Sequence, residues 1–211
     1  MNFPTPSSDY LRKLITDGAC SLPVLNEDEI SALLEEAAKL PFKPREQRTA
    51  MNVMQNFSGC DSFEPEGIFD MFAQSTASML DTLFDRTVCA PIEFNDYSLQ
   101  LYPVSEPGEE FAISPHLDHK NCINLIAVYV LKGKAPFYVC KDRTGADAIE
   151  IGSNPGDLIL MRGTGFLNSD FRPFHFVGKV AEERMTFGMR QTVDKKELPK
   201  YSNLERNTYG T

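Results

Sequence analysis

The feature that most constrains the fold of this chain is a series of short, strand-like segments in its second half. After Pro91, apolar and β-branched residues recur in runs of three to nine, and turn residues such as Gly145, Pro155 and Gly156 separate them. We predict strands at 94–102, 113–118, 123–131, 137–141, 149–151, 157–161, 174–180 and 185–192. Their number and spacing fit a mainly β protein, a double-stranded β-helix of the cupin-like jelly-roll type.

The first 90 residues have a different pattern. A short amphipathic segment and a strand at 18–25 lead to a predicted helix at 27–40, where Asn26 and Glu29 match a capping box. Apolar residues at helical spacing predict a second helix at about 65–86. The segment 42–64 is harder to assign and is interpreted as a loop or strand near the mouth of a site, or as core. We expect one catalytic domain over 1–211, with helical support at about 1–90, a β core at about 91–193 and a polar tail at 194–211.

Charge and composition restrict the partners. The formal net charge of −9 among 211 residues argues against a nucleic-acid groove. Five widely spaced cysteines indicate reduced thiols rather than a disulfide framework. The N-terminus lacks a secretory pattern, and no apolar run is long enough to span a membrane. We therefore expect a cytoplasmic protein, monomeric or homodimeric, that acts on a small molecule and binds neither nucleic acid nor membrane.

The chemistry is concentrated in a His-x-Asp motif. His116 and Asp118 lie two residues apart in a predicted strand, so both side chains point to one face. The distant His175 lies in another strand-like run. Two histidines and one carboxylate form the set that holds non-haem Fe(II) while leaving coordination positions open. A surface pair at 116 and 118 with a core histidine at 175 is the structural alternative.

An arginine and a hydroxyl residue follow at a fixed distance. Arg184 stands nine residues after His175, and Thr186 follows it on the same strand face. An arginine fork can hold a carboxylate by two parallel hydrogen bonds, to which a threonine hydroxyl adds a third. Arg190 continues this face and is the alternative carboxylate ligand or a contact for an acidic substrate.

With this set of residues the sequence resembles the Fe(II)/2-oxoglutarate-dependent oxygenases, over about 91–192. The resemblance implies that His116, Asp118 and His175 are catalytic metal ligands and that Arg184 and Thr186 bind the C5 carboxylate of 2-oxoglutarate. It also implies a dioxygenase that uses Fe(II), 2-oxoglutarate and O2 to oxidise an unactivated C–H bond, with release of succinate and CO2. An amino acid or a natural-product intermediate would be a suitable substrate.

Further contacts are expected around this set. Gln100 and Tyr102 share one face of the preceding strand and are candidates for hydrogen bonds to the co-substrate. Arg172 and Asn121 are candidates for substrate contacts. Two alternatives stay open: an iron oxidase that needs no 2-oxoglutarate, and a cupin-like binding or isomerase domain whose metal only organises a ligand.

Overall fold

The computed structural model describes residues 8–84 and 88–202. Its helices are α1 (Ser8–Thr16), α2 (Glu27–Ala37), α3 (Ile68–Leu83) and α4 (Pro199–Ser202), with a 3-10 turn at Phe166–Asn168. The capping box predicted for α2 is present, because the Glu29 amide donates to Asn26 Oδ1 at 2.9 Å and the Asn26 amide donates to Glu29 Oε2 at 3.0 Å. The predicted end of the second helix at 85–86 lies outside the described residues.

The strands form two antiparallel sheets. They are β1 (Ala19–Pro23), β2 (Lys43–Pro44), β3 (Ser58–Cys60), β4 (Asp96–Tyr102), β5 (Ile113–His116), β6 (Cys122–Lys134), β7 (Phe137–Cys140), β8 (Ile149–Ile151), β9 (Asp157–Arg162), β10 (Phe174–Val177) and β11 (Glu182–Thr192). The major sheet has the order β1-β9-β6-β11-β4-β3-β2, and the minor sheet has the order β5-β10-β7-β8. This is the predicted double-stranded β-helix, and the predicted fold class is confirmed.

The outer face of the major sheet packs against the helices. Along β11, Met185, Phe187 and Met189 point into this core, where they meet the buried faces of α2 and α3. Phe187 is fully buried, and its ring centroid lies 4.9 Å from that of Phe69 on α3. Apolar residues at every second position therefore fix which side of β11 faces the helices.

The inner face of the major sheet meets the minor sheet. Ile126, Val130 and Ile159 of the major sheet share a second apolar core with Phe137 and Val139 of β7. Residues of β11 that alternate with the outer core, Arg184, Thr186 and Arg190, face this space between the sheets. These three polar residues of β11 are thus enclosed by the fold.

Three strands end earlier than predicted: those predicted at 137–141 and 174–180 end at Cys140 and Val177, and the third carries His116. The strand predicted at 113–118 ends at His116, which pairs with His175 of β10. Continuing this antiparallel register would place Asp118 opposite Pro173, and proline has no amide hydrogen to donate. The Asp118 carbonyl instead accepts a hydrogen bond from the side chain of Arg172. Asp118 therefore lies in a loop just beyond the strand.

The segment 42–64 adds β2 and β3 to the edge of the major sheet, next to β4. Between these strands the chain turns back, and Gln55 forms an isolated bridge with Ile113 of β5. Met51 and Met54 are exposed there, at 46% and 45%. Of the polar tail, residues 203–211 lie outside the described part. No helix within the described residues is long and apolar enough to cross a membrane.

Candidate functional site

A cavity between the two sheets contains most of the residues singled out from the sequence. Its polar walls come from Gln100, Tyr102, His116, Asp118, His175, Arg184, Thr186 and Arg190, and its apolar walls come from Ile113, Val128, Phe137, Met161 and Val177. The minor sheet contributes both histidines, whereas the major sheet contributes both arginines. The fold thus brings distant motifs to one enclosed space.

His116 and His175 face each other across neighbouring strands. They are paired in register, and their ring centroids are 4.3 Å apart. His116 Nδ1 lies 2.9 Å from the Ser114 carbonyl oxygen, and His175 Nδ1 lies 3.2 Å from that of Pro173. Because a carbonyl oxygen only accepts, each Nδ1 carries the hydrogen. Each Nε2 is left with a free lone pair, the form in which imidazole binds a metal.

Burial keeps these imidazoles neutral. It lowers the pKa of His116 to about 4, with the nearby His175 adding to the effect. Burial also lowers the pKa of His175, against the opposing influence of Asp118. Because these imidazoles are neutral near pH 7, a metal does not have to displace a proton from them in order to bind.

Asp118 lies between His175 and Arg190. Its Oδ2 is 3.5 Å from His175 Nε2, and its Oδ1 is 3.3 Å from Arg190 Nε. Burial raises the pKa of Asp118, but the charge of Arg190 lowers it more, and so do the two histidines once acid protonates them; the resulting pKa is about 2. Asp118 is therefore a carboxylate with one oxygen directed to the arginine and the other towards the histidine.

The donor set fits non-haem iron. Within residues 8–84 and 88–202, no three His, Cys, Asp or Glu side chains are placed so that they could hold a metal ion as they stand. The cavity nevertheless combines two neutral imidazoles, held by their Nδ1 hydrogens, with an ionised carboxylate. Two nitrogens and one oxygen on one side of a cavity match the donors of iron centres that keep open positions.

Arg184 lies at another part of the cavity and is 1% exposed. Its Nε and one terminal nitrogen, Nη1, are buried without a hydrogen-bond partner among the described residues. Burial lowers the pKa of Arg184, and no carboxylate within the described residues forms an ion pair with it. A buried guanidinium without a counter-ion is costly, so this pattern indicates a place for an anion.

Three residues next to Arg184 provide polar groups. Tyr102 is its cross-strand partner, and Thr186 pairs with Gln100 in the same register. The Tyr102 hydroxyl donates to Gln100 Oε1 at 2.7 Å, and the Thr186 hydroxyl lies 3.4 Å from the same oxygen. Burial raises the pKa of Tyr102 to about 12, so its hydroxyl stays protonated and can donate. The residues predicted to share a face on β4, Gln100 and Tyr102, thus lie beside those predicted to share a face on β11, Arg184 and Thr186.

Other predicted contacts lie outside this cavity. Arg172 borders it through its bond to the Asp118 carbonyl. Asn121 is not among the lining residues, and its carbonyl accepts a hydrogen bond from the Val193 amide at 3.1 Å. Sequence reasoning missed Ser98, whose hydroxyl lies 3.3 Å from Arg190 Nη1. Its position two residues before Gln100, on the same strand face, was the available signal.

The comparisons with known proteins agree with this architecture. No protein-family model and no curated protein sequence matches the chain. Among solved structures, a prolyl-4-hydroxylase of Pseudomonas putida is similar with a TM-score of 0.62 and 16% identity, over 88% of this chain and 98% of that one. An oxidoreductase of the 2OG-Fe(II) oxygenase family from Burkholderia pseudomallei has a TM-score of 0.60 and 17% identity, over 88% and 89%.

A third similar structure is the prolyl hydroxylase of Trichoplax adhaerens in complex with a peptide of the hypoxia inducible factor oxygen degradation domain. It has a TM-score of 0.59 and 12% identity, over 94% of this chain and 91% of that one. The chain therefore has the double-stranded β-helix fold of 2OG-Fe(II) oxygenases, and the resemblance inferred from the motif is confirmed for the fold. At this identity the activity has to be argued from the site.

Proposed function

We propose that this protein is a non-haem Fe(II)- and 2-oxoglutarate-dependent dioxygenase. In the reaction, one atom of O2 enters the substrate and the other enters succinate, while CO2 leaves from C1 of 2-oxoglutarate. The reduction of O2 takes four electrons. Two come from the substrate, whose C–H bond becomes C–OH, and two come from the oxidative decarboxylation of 2-oxoglutarate. We further propose a small-molecule substrate, and a single catalytic domain that acts as a monomer or homodimer.

The observation that carries this proposal is the state of Arg184. Its buried guanidinium has two nitrogens without partners, and it lines the same cavity as His116, Asp118 and His175. An iron oxidase without a co-substrate, or a cupin-like binding domain, has no general need for a buried cation at this position. A dicarboxylate bound to the metal by one end supplies the missing counter-ion with the other.

The polar residues of the inter-sheet cavity divide between metal binding and co-substrate binding in this proposal. His116 and His175 would bind the metal through Nε2, and Asp118 would bind through Oδ2, since Oδ1 is held by Arg190. When bound, ferrous iron supplies the activation of O2. Arg184 would hold the C5 carboxylate of 2-oxoglutarate. The hydroxyls of Thr186 and Tyr102 would become further donors by turning from Gln100 Oε1 to the carboxylate.

The apolar wall of the cavity supports this chemistry. Ile113, Val128, Phe137 and Val177 line the space between the sheets with apolar surface. A low local dielectric strengthens the attraction between Arg184 and a carboxylate. The Phe137 ring lies 5.8 Å from that of His175 and packs beside this proposed ligand.

Anaerobic titration tests the proposal. Metal-free protein is loaded with Fe(II) and then with 2-oxoglutarate, and the visible charge-transfer band of a 2-oxo acid chelated to iron is recorded. We expect a band in the wild type, no band in His175→Ala, and weaker 2-oxoglutarate binding in Arg184→Ala. If iron binds but saturating 2-oxoglutarate produces no band, the protein is not a 2-oxoglutarate-dependent enzyme.

A further inference from the structure

A second cavity, of about 110 Å³, borders the proposed metal-binding aspartate from outside the inter-sheet space. It is lined by Lys120, Thr164, Asp170, Arg172 and Leu198. Lys120 follows Asp118 by two residues, and a terminal nitrogen of Arg172, Nη1, donates to the Asp118 carbonyl. The volume admits several water-sized groups. We call this space the loop cavity, because all its lining residues lie outside the strands.

The two cations of the loop cavity have unused donors. Apart from its bond to Asp118, Arg172 forms no hydrogen bond or ion pair with the described residues, so Nε and Nη2 remain available. Lys120 is exposed, and its ammonium group likewise contacts no carboxylate in the described part of the chain. Asp170 lines the same cavity but lies beyond ion-pair distance of both. Within residues 8–84 and 88–202, one guanidinium edge and one ammonium group are thus left unpaired.

The charges of the inter-sheet cavity do not compensate for these cations. Its ionised side chains are Arg184, Arg190 and Asp118, which leave one positive charge in excess. The two positive charges of Fe(II) and the two negative charges of 2-oxoglutarate cancel, so the excess persists in the loaded site. Asp96, opposite Arg190 on β4, is exposed, and solvent screens its charge. In the loop cavity Asp170 offsets one of the two cations, so the region as a whole keeps an excess of positive charge that favours an anion.

We propose that the loop cavity binds an anionic group, carboxylate or phosphate, of the substrate that is oxidised. Arg172 can present Nε and Nη2 as a fork to two oxygens of this group, while Lys120 adds a mobile point charge. Substrates with an amide or alcohol in place of the anion would leave both cations unpaired and bind weakly. The assignment of this anion to the substrate rests on the proposed oxygenase function.

The test follows binding rather than turnover. Acetate and inorganic phosphate are titrated, at constant ionic strength, into metal-free protein saturated with 2-oxoglutarate. The readout is the Nε–Hε NMR signal of Arg172, assigned from its absence in Arg172→Lys. We expect a saturable shift that identifies a carboxylate if acetate binds more tightly and a phosphate ester if phosphate does.

Matched lysine variants separate the loop cavity from general charge effects. Lys120→Gln should weaken binding of the preferred anion at least fivefold. Lys179→Gln, which removes an exposed charge beyond the far end of the strand that carries His175, should leave the affinity unchanged. The proposal is overturned if neither anion produces a saturable shift, or if Lys120→Gln binds as tightly as the wild type.

The charge-transfer band of the Fe(II)-loaded protein with 2-oxoglutarate tests the proposed function independently of the anion titration, so that the failure of one proposal can be told from the failure of the other. If the band forms but no anion binds, the oxygenase function is supported and the proposal of an anionic substrate is overturned. If an anion binds but no band forms, the loop cavity is an anion site, and its assignment to the substrate of an oxygenase is overturned.

Discussion

Arg190 and Asp118 form an ion pair inside the cavity, with Arg190 Nε 3.3 Å from Asp118 Oδ1. Their side chains are only 19% and 14% exposed. Burial lowers the pKa of Arg190, but Asp118 and the other acidic groups nearby together raise it above its usual value, so the arginine stays charged. The pair stabilises the negative charge of Asp118 before any metal is present and directs the second oxygen towards the histidines.

Replacing Arg190 by methionine should destabilise the metal-free protein. The change leaves the buried Asp118 carboxylate without its counter-ion, which costs about 3 kcal/mol in comparable sites. The free energy of unfolding is measured by urea denaturation of the metal-free protein. Saturation with Mn(II) should restore more stability in Arg190→Met than in the wild type, because the metal replaces the missing cation. An equal gain in both proteins would contradict this role of Arg190.

Replacing Arg184 by methionine should have opposite effects on stability and binding. Without ligand, the variant should be more stable by about 1–3 kcal/mol, because a buried unpaired charge is removed. Its affinity for 2-oxoglutarate, measured by calorimetry in the presence of Mn(II), should fall at least about 100-fold. Arg184→Lys is the control, since it keeps the charge but not the fork. Wild-type affinity in Arg184→Met would mean that another residue binds the C5 carboxylate.

Truncating Phe187 should separate stability from binding. Its ring lies in the outer core, on the face of β11 opposite Arg184 and Thr186. Phe187→Ala should lower the free energy of unfolding by about 3–5 kcal/mol, and Phe187→Leu should lower it less. At 10 °C the folded Phe187→Leu protein should bind 2-oxoglutarate as the wild type does. A large loss of affinity there would indicate that the outer core positions the cavity residues.

The metal-free protein should lose stability as the pH falls from about 6.5 to about 4. In this range the unfolded chain protonates His116, while the folded protein keeps it neutral because its pKa is about 4. Protons therefore favour the unfolded state, by about 1–3 kcal/mol at the lower pH. Urea denaturation at several pH values measures the loss, which should be smaller in His116→Gln. His119→Gln, at an exposed position, is the matched control. Identical losses in the wild type and His116→Gln would exclude His116 as the cause.

The β architecture could be predicted because it follows from local patterns. Alternating apolar residues predicted that Arg184 and Thr186 share one face of β11, and the structure places both in the inter-sheet cavity. The short motif around His116 likewise indicated a strand, and His116 is its last residue. These features depend only on residues close in sequence.

The environment of Asp118 could not be predicted in this way. The early end of β5 depends on Pro173, which the fold places opposite residue 118, and on the side chain of Arg172 that takes over the carbonyl. The ion pair with Arg190 joins residues 72 positions apart. The edge strands β2 and β3 could not be predicted in this way either. Their packing depends on Gly59, which leaves space for Arg45: the Arg45 Nε would lie 2.5 Å from a Cβ at position 59. Each of these features requires the register between strands distant in sequence.

The division of the site between the two sheets has a consequence for the choice of co-substrate. The imidazoles belong to the minor sheet, and the guanidinium of Arg184 belongs to the major sheet. A 2-oxo diacid that bridges them has to match the gap between the sheets, and the packed side chains of Ile126, Val130, Phe137 and Val139 hold that gap constant. Discrimination among diacids of four, five and six carbons is thus a property of the distance between two hydrophobic layers, which substitutions remote from any polar atom can lengthen or shorten.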